Sequence, residues 1–266
     1  MHMAATYESF KFEIADGIAH VTFNQPERGN PMDLRFNTEL SLIASECDED
    51  PSVRCVLIDA AGKYFGVGAD LKTMNRDRAA LQVFIKNATV GLHSALSRFA
   101  RMNAPVIVKV HSLSVGGFNA VCAAADFCIA AKSARFYAAY TGIGLLPDGG
   151  GTSFIPRRVG FRRAAEFFMR NQTWTADEAL AAGLISHVVD DAALDAEAWT
   201  LARELAAGPT LAFGEIKNLL LSASSQPIEA QMEQEARAMT RVTKSEDGWN
   251  GICEVAQRRK PTFVER

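Results

Sequence analysis

The sequence predicts an α/β fold followed by a helical C-terminal region. Three observations predict it: apolar strand-like runs alternate with helical stretches, glycine-rich loops join several of them, and the chain beyond Asp191 is almost wholly helical in pattern. With 266 residues, 48% of them hydrophobic and 22% charged, the chain can bury a sizeable core without metal or disulfide staples.

Residues 10–14 and 18–23 alternate apolar and polar side chains around Asp16-Gly17, a hairpin signal. Asn30-Pro31-Met32-Asp33 closes an irregular stretch, and Asp33 is placed to cap a helix reaching about Asp48. Residues 53–60 form a buried-strand pattern and residues 62–68 a glycine-rich loop. A polar stretch from Asn75 to Arg78 leads into a helix ending near Arg101. Pro105 precedes a second apolar strand over residues 106–110; a polar turn and Gly116-Gly117 then open an apolar helix to about Ala125. Residues 127–130 and 135–137 are short strand patterns, and residues 142–152 a further glycine-rich loop before the helix-forming FRRAAEFFMR. Thr175-Ala176-Asp177-Glu178 predicts a capped helix to Ala182, residues 186–189 a last strand. Gly208-Pro209 and Gln226-Pro227 punctuate the helical remainder, which predicts a separate packing module.

Several function classes are excluded at once. A net charge of −3 supplies no basic field for nucleic acid. The five cysteines (Cys47, Cys55, Cys122, Cys128 and Cys253) are odd in number and form no C-x-x-C, which argues against a disulfide framework or a zinc knuckle. No apolar run approaches the ~20 residues needed to cross a bilayer. The first residues lack a basic segment followed by an apolar one, so the expected location is the cytoplasm, with no membrane partner.

The chemistry is expected at the glycine-rich junctions. Phe65-Gly66-Val67-Gly68-Ala69-Asp70 and Ser114-Val115-Gly116-Gly117 each run from a strand into a helix. Helix starts leave peptide N–H groups unpaired, and two of them converging bind an oxygen that turns negative during reaction. Other motifs fail on single residues. Leu71 stands where a dinucleotide fingerprint needs its third glycine, and the loop at Gly144 has no phosphate-binding lysine. Ser112-Leu113-Ser114-Val115-Gly116 lacks the first glycine of a nucleophile elbow, and His187 sits inside a strand pattern.

Phe65 to Lys72 resembles the F-x-x-G-A-D-L-K signature of the crotonase superfamily, the enoyl-CoA hydratase and isomerase group. Residues 105–117, with Asp126 beyond, resemble its second signature and residues 136–152 its third; residues 179–189 match a further run. The similarity extends from Ile18 to Phe263 and is nearest to the isomerase branch. It implies a crotonase-like spiral of ββα units over residues 1–200 and a C-terminal helical trimerisation region over 201–266, assembled as a trimer or dimer of trimers. It also implies an acyl-CoA thioester held in an oxyanion hole, with Ala69 and Gly117 supplying the N–H donors beside Gly68 and Gly116. No metal, flavin or nicotinamide is expected, CoA entering as part of the substrate.

Family hydratases activate water with two glutamates, and those positions here hold Ala120 and Tyr140. Alanine transfers no proton, and a tyrosine hydroxyl near pKa 10 is a poor base at neutrality. Asp148 remains, at the position used by double-bond isomerases of the superfamily. One carboxylate suffices to move a proton between two carbons, and Leu145-Leu146-Pro147 is expected to desolvate it. An aspartate before three glycines is, without the resemblance, read more simply as a helix cap. Arg28, Asp70, Lys72, Tyr140 and Phe263 are expected to contact substrate, the cations facing CoA phosphates. The expected activity is isomerisation of an enoyl-CoA. A hydratase with atypical acid and base groups, or a non-catalytic CoA-ester binder, is the alternative.

Overall fold

A computed structural model describes residues 7–74 and 77–265. Part of the polar stretch before the third helix, Asn75 and Arg76, therefore lies outside the described residues. The hairpin signal at Asp16-Gly17 joins β1 (Phe10–Ala15) and β2 (Ile18–Phe23). Strands β3 (Cys55–Ala60), β4 (Val106–Val110), β6 (Phe127–Ala131) and β9 (His187–Val189) extend the sheet in the order β1-β2-β3-β4-β6-β9, every pair after the first being parallel. A smaller sheet holds β5 (Leu113–Val115), β7 (Arg135–Tyr137) and β8 (Thr173–Thr175).

Helices cover both faces of the large sheet, so its inner strands are mostly apolar on both faces rather than alternating, the paired Asp59 and Lys109 excepted. On one face Val56, Ile58, Val106 and Val108 meet α1 (Leu34–Glu49), α3 (Leu81–Arg101) and α4 (Gly117–Ala124), with Phe23, Phe36, Phe65 and Phe118 filling the centre. On the other face Cys55, Leu57, Ile107 and Ile129 pack under Leu194, Ala198 and Ala202 of α8 (Leu194–Ala206). Asp33 caps α1 by accepting from the Phe36 N–H at 2.9 Å. Thr175 and Glu178 form the reciprocal capping box that opens α7 (Ala176–Ala182).

The smaller sheet departs from expectation. A polar turn and an unassigned stretch prove to be β5 and β8, three-residue strands too short to display any periodicity. Residues 151–159, expected as loop and connection, form α5 (Gly151–Val159), hidden by a glycine start and an internal Pro156. It leads into α6 (Phe161–Met169). The remaining helices are the short α2 (Leu71–Met74) and the C-terminal α9 (Thr210–Ser222), α10 (Ile228–Thr243) and α11 (Glu246–Ala256). Residue 200 falls inside α8, which packs on the large sheet. None of the described helices is long and apolar enough to cross a membrane.

Polar pairs anchor this frame where strands end. Lys109 Nζ meets Asp59 at 2.8 Å and Asp195 at 2.5 Å, while His20 Nε2 meets Asp59 at 3.0 Å. Lys217 of α9 is buried, and its ammonium donates to the Phe99 and Ala104 carbonyls and pairs with Asp126 at 2.7 Å.

Candidate active site

Two backbone donors are brought together by a short parallel pairing. The Gly66 N–H donates to Leu113 O at 3.1 Å, and the Val115 N–H donates to Gly66 O at 3.0 Å, which pairs Gly66 with Ser114. Ala69 and Gly117 each stand three residues beyond that pair. Met32 fixes the first of them: its N–H donates to Gly68 O at 2.8 Å, its carbonyl accepts from the Asp70 N–H at 3.2 Å, and it bridges to Ala69. A side chain on Gly117 would stand 2.7 Å from Met32 Sδ, so the Met32 thioether lies directly against this helix start. Neither the Ala69 nor the Gly117 N–H has a hydrogen-bond partner among the described residues. Gly117 opens α4, whose dipole favours negative charge at that end.

Asp148 reaches the same place from the third loop. Its Oδ1 lies 3.6 Å from where a Gly117 Cβ would stand. The helix-cap explanation for this residue fails, because α5 is capped by Gly150 with no side-chain bond. Instead the Tyr140 hydroxyl donates to Asp148 Oδ1 at 3.1 Å. Burial pushes the Asp148 carboxyl above the ordinary carboxylate value, partly offset by the Tyr140 hydrogen bond. Burial and the neighbouring carboxylate hold the Tyr140 hydroxyl far above its usual value, so it stays a neutral donor. Ala120 packs beneath this turn: its Cβ is 3.3 Å from where a Cβ on Gly149 would lie.

One neighbour of Asp148 was not singled out in the sequence. His93 of α3 accepts the Gly149 N–H on Nε2 at 3.1 Å, which requires the neutral ring with its proton on Nδ1. It thereby pins a turn whose Gly149 and Gly150 both have positive φ, 60° and 73°. No local pattern marks this histidine, since its partner lies 56 residues away.

The other expected site residues are distributed differently. Asp70 accepts from the Lys72 and Thr73 N–H groups and the Thr73 hydroxyl, which makes it the cap of α2. Burial alone would raise its carboxyl, but the Thr73 bonds and the Arg28 charge bring it below the usual carboxylate value. Arg28 is held by Asp70 at 2.8 Å and Asp33 at 3.0 Å. Lys72 is exposed and has no ion pair among the described residues. Phe263 packs by Gly251 in a cavity of about 260 Å³ that none of the other expected site residues lines. Ser114 is fully buried and donates to Asn119 Oδ1 at 2.8 Å, which leaves no accessible serine nucleophile there.

The chain resembles known proteins along nearly its whole length. Residues 13–266 match the family model described as enoyl-CoA hydratase/isomerase. The chain is 31% identical to the 1,2-epoxyphenylacetyl-CoA isomerase of Escherichia coli K12, over 94% of this chain and 96% of that protein. It is 30% identical to a probable enoyl-CoA hydratase of Rhodobacter capsulatus, over 98% of this chain and 100% of that one. A crystal structure described as a putative enoyl-CoA hydratase from Streptomyces coelicolor A3(2) superposes with a TM-score of 0.90 at 29% identity, covering 100% of this chain and 98% of the other.

Proposed function

As the chain belongs to the enoyl-CoA hydratase/isomerase family, the crotonase superfamily of acyl-CoA enzymes, we propose that it shifts a carbon–carbon double bond in an enoyl-CoA thioester. The observation that carries this reading is a half-buried carboxylate beside Gly117, one of two unpaired peptide N–H groups on paired loops, while Ala120 and Tyr140 stand where water-activating carboxylates would be needed. The Ala69 and Gly117 amides hold the thioester oxygen. Asp148 removes a proton from the second acyl carbon, negative charge moves onto that oxygen, and the same carboxyl returns the proton to the fourth carbon. A 3-enoyl thioester thus becomes the conjugated 2-enoyl thioester with no other reactant. Losing one such hole donor typically costs ~10²–10³ in rate.

Lys72 is the freer cation for a CoA phosphate, because Arg28 is already paired with two carboxylates and instead stiffens the wall around Asp70. Absorbance at the conjugated-thioester wavelength tests the reaction class: it is expected to grow from 3-enoyl-CoA and to stay flat when 2-enoyl-CoA is offered with water. Hydration of the 2-enoyl ester at a comparable rate would reject isomerisation and favour the hydratase.

We place the catalytic unit in residues 1–200 and an assembly unit in 201–266. Exposed apolar residues on the C-terminal helices support a trimer or dimer of trimers, Met239 being 66%, Trp249 64% and Val255 62% exposed. Sedimentation should show an oligomer that Trp249→Glu dissociates. A monomeric native chain would remove this part of the proposal.

A further inference from the structure

A trough of about 610 Å³ leads away from Asp148, walled by α3 and α5 and bordered by the end of α9. His93, Ser97 and Arg101 line it at successive turns of α3, which puts Arg101 about 12 Å along the helix from His93. On the opposite wall Arg157 lies six residues into α5, about 9 Å from its start beside Asp148. The end of α9 is tied down at the far end: Asn218 Nδ2 donates to Arg101 O at 3.1 Å, and Arg157 Nη1 donates to Leu221 O at 3.0 Å.

The charge in this trough is lopsided. Asp148 is the one acidic side chain among the residues lining it, and it stands at the near end. Neither Arg101 nor Arg157 has an ion pair among the described residues. Ser97, Asn218, Ser222 and Ser225 add hydroxyl and amide groups. Leu96, Pro147, Phe154 and Leu221 give an acyl chain apolar contact, but a purely hydrocarbon tail would strip water from the guanidinium, hydroxyl and amide groups without replacing their hydrogen bonds. A tail ending in anionic oxygens would instead meet two guanidiniums suited to them.

We infer that the trough selects medium-chain acyl groups that carry an anionic end, a carboxylate above all, recognised by Arg101 and Arg157. This inference rests on Asp148 facing the acyl group, and it names the substrate class of the site proposed above. The other anion within reach of such arginines is the CoA phosphate, and the test separates the two.

Calorimetry with saturated, unreactive esters makes the measurement independent of turnover. A medium-chain ω-carboxyacyl-CoA is expected to bind the full chain about tenfold more tightly than the methyl-ended acyl-CoA of equal length. Arg101→Gln and Arg157→Gln should each erode that preference. Arg101→Gln is the cleaner variant, because the α9 tie uses the backbone carbonyl of Arg101 and survives the change. Equal binding of the two esters to the native chain would overturn the inference. So would arginine variants that weaken both esters and free CoA alike, since the guanidiniums would then serve the CoA phosphates. A preference retained in a chain that isomerises neither unsaturated counterpart would leave this inference standing and reject the proposed reaction.

Discussion

Asp148→Asn is expected to lower kcat by about 10²–10⁴-fold, the usual contribution of one positioned acid–base group. The amide has the shape of the carboxyl and still accepts the Tyr140 hydroxyl, and residue 148 caps no helix, so the fold has no reason to change. The sign of the stability effect is informative. A carboxyl whose folded pKa is raised holds its proton more tightly in the folded state, so its burial costs stability as pH rises above the unfolded value. The neutral variant escapes that cost, and its melting temperature near pH 7 should equal or exceed that of the native chain. Activity of the native chain should fall as pH drops through the raised Asp148 value, above the ordinary aspartate value of about 3.9. Tyr140→Phe removes a bond that favours the ionised form and should move this limb further up. Full turnover by the asparagine variant would take Asp148 out of the chemistry.

The second large effect concerns stability. Lys109→Met should cost about 3–5 kcal/mol, because it strands a buried carboxylate. Asp59 is 6% exposed, and burial alone would raise its pKa; hydrogen bonds from His20 and Lys109 instead hold it well below the usual carboxylate value. Without the ammonium, half-buried His20 is left as its ring-nitrogen partner, and Asp195 loses its bond to the sheet. Replacing Asp59 by Asn in the same chain should restore part of the loss. Urea unfolding reads both variants, and a single-variant loss below about 1 kcal/mol would show that the pair is dispensable.

The legible parts of the fold were those with local causes. Asp33 and Thr175 announce their helices because a cap and its receiving N–H are three residues apart. The inner strands show as apolar runs because both faces of the large sheet are covered. The second sheet did not show, since β5 and β8 owe their existence to partners such as β7 and not to their own three residues. Helix α5 was concealed by the two glycines before it, by the glycine that opens it and by Pro156, residues that ordinarily signal loops. At the candidate site the two donor loops could be located by their glycines, but Asp148 stood out from a helix cap only through the family resemblance. Tyr140 carries no periodic signal for its bond to Asp148 eight residues on, and the contact of His93 spans 56 residues, beyond any sequence window.

The coupling of Gly66 to Ser114 has a dynamic consequence. Because both amides hang from one rung, a thermal tilt of that rung carries them in concert and leaves their spacing nearly constant. In the proposed reaction the pair would drift as a rigid tweezer and keep its grip on an oxygen atom. Independent loops would let each donor wander and would hold the charge only intermittently.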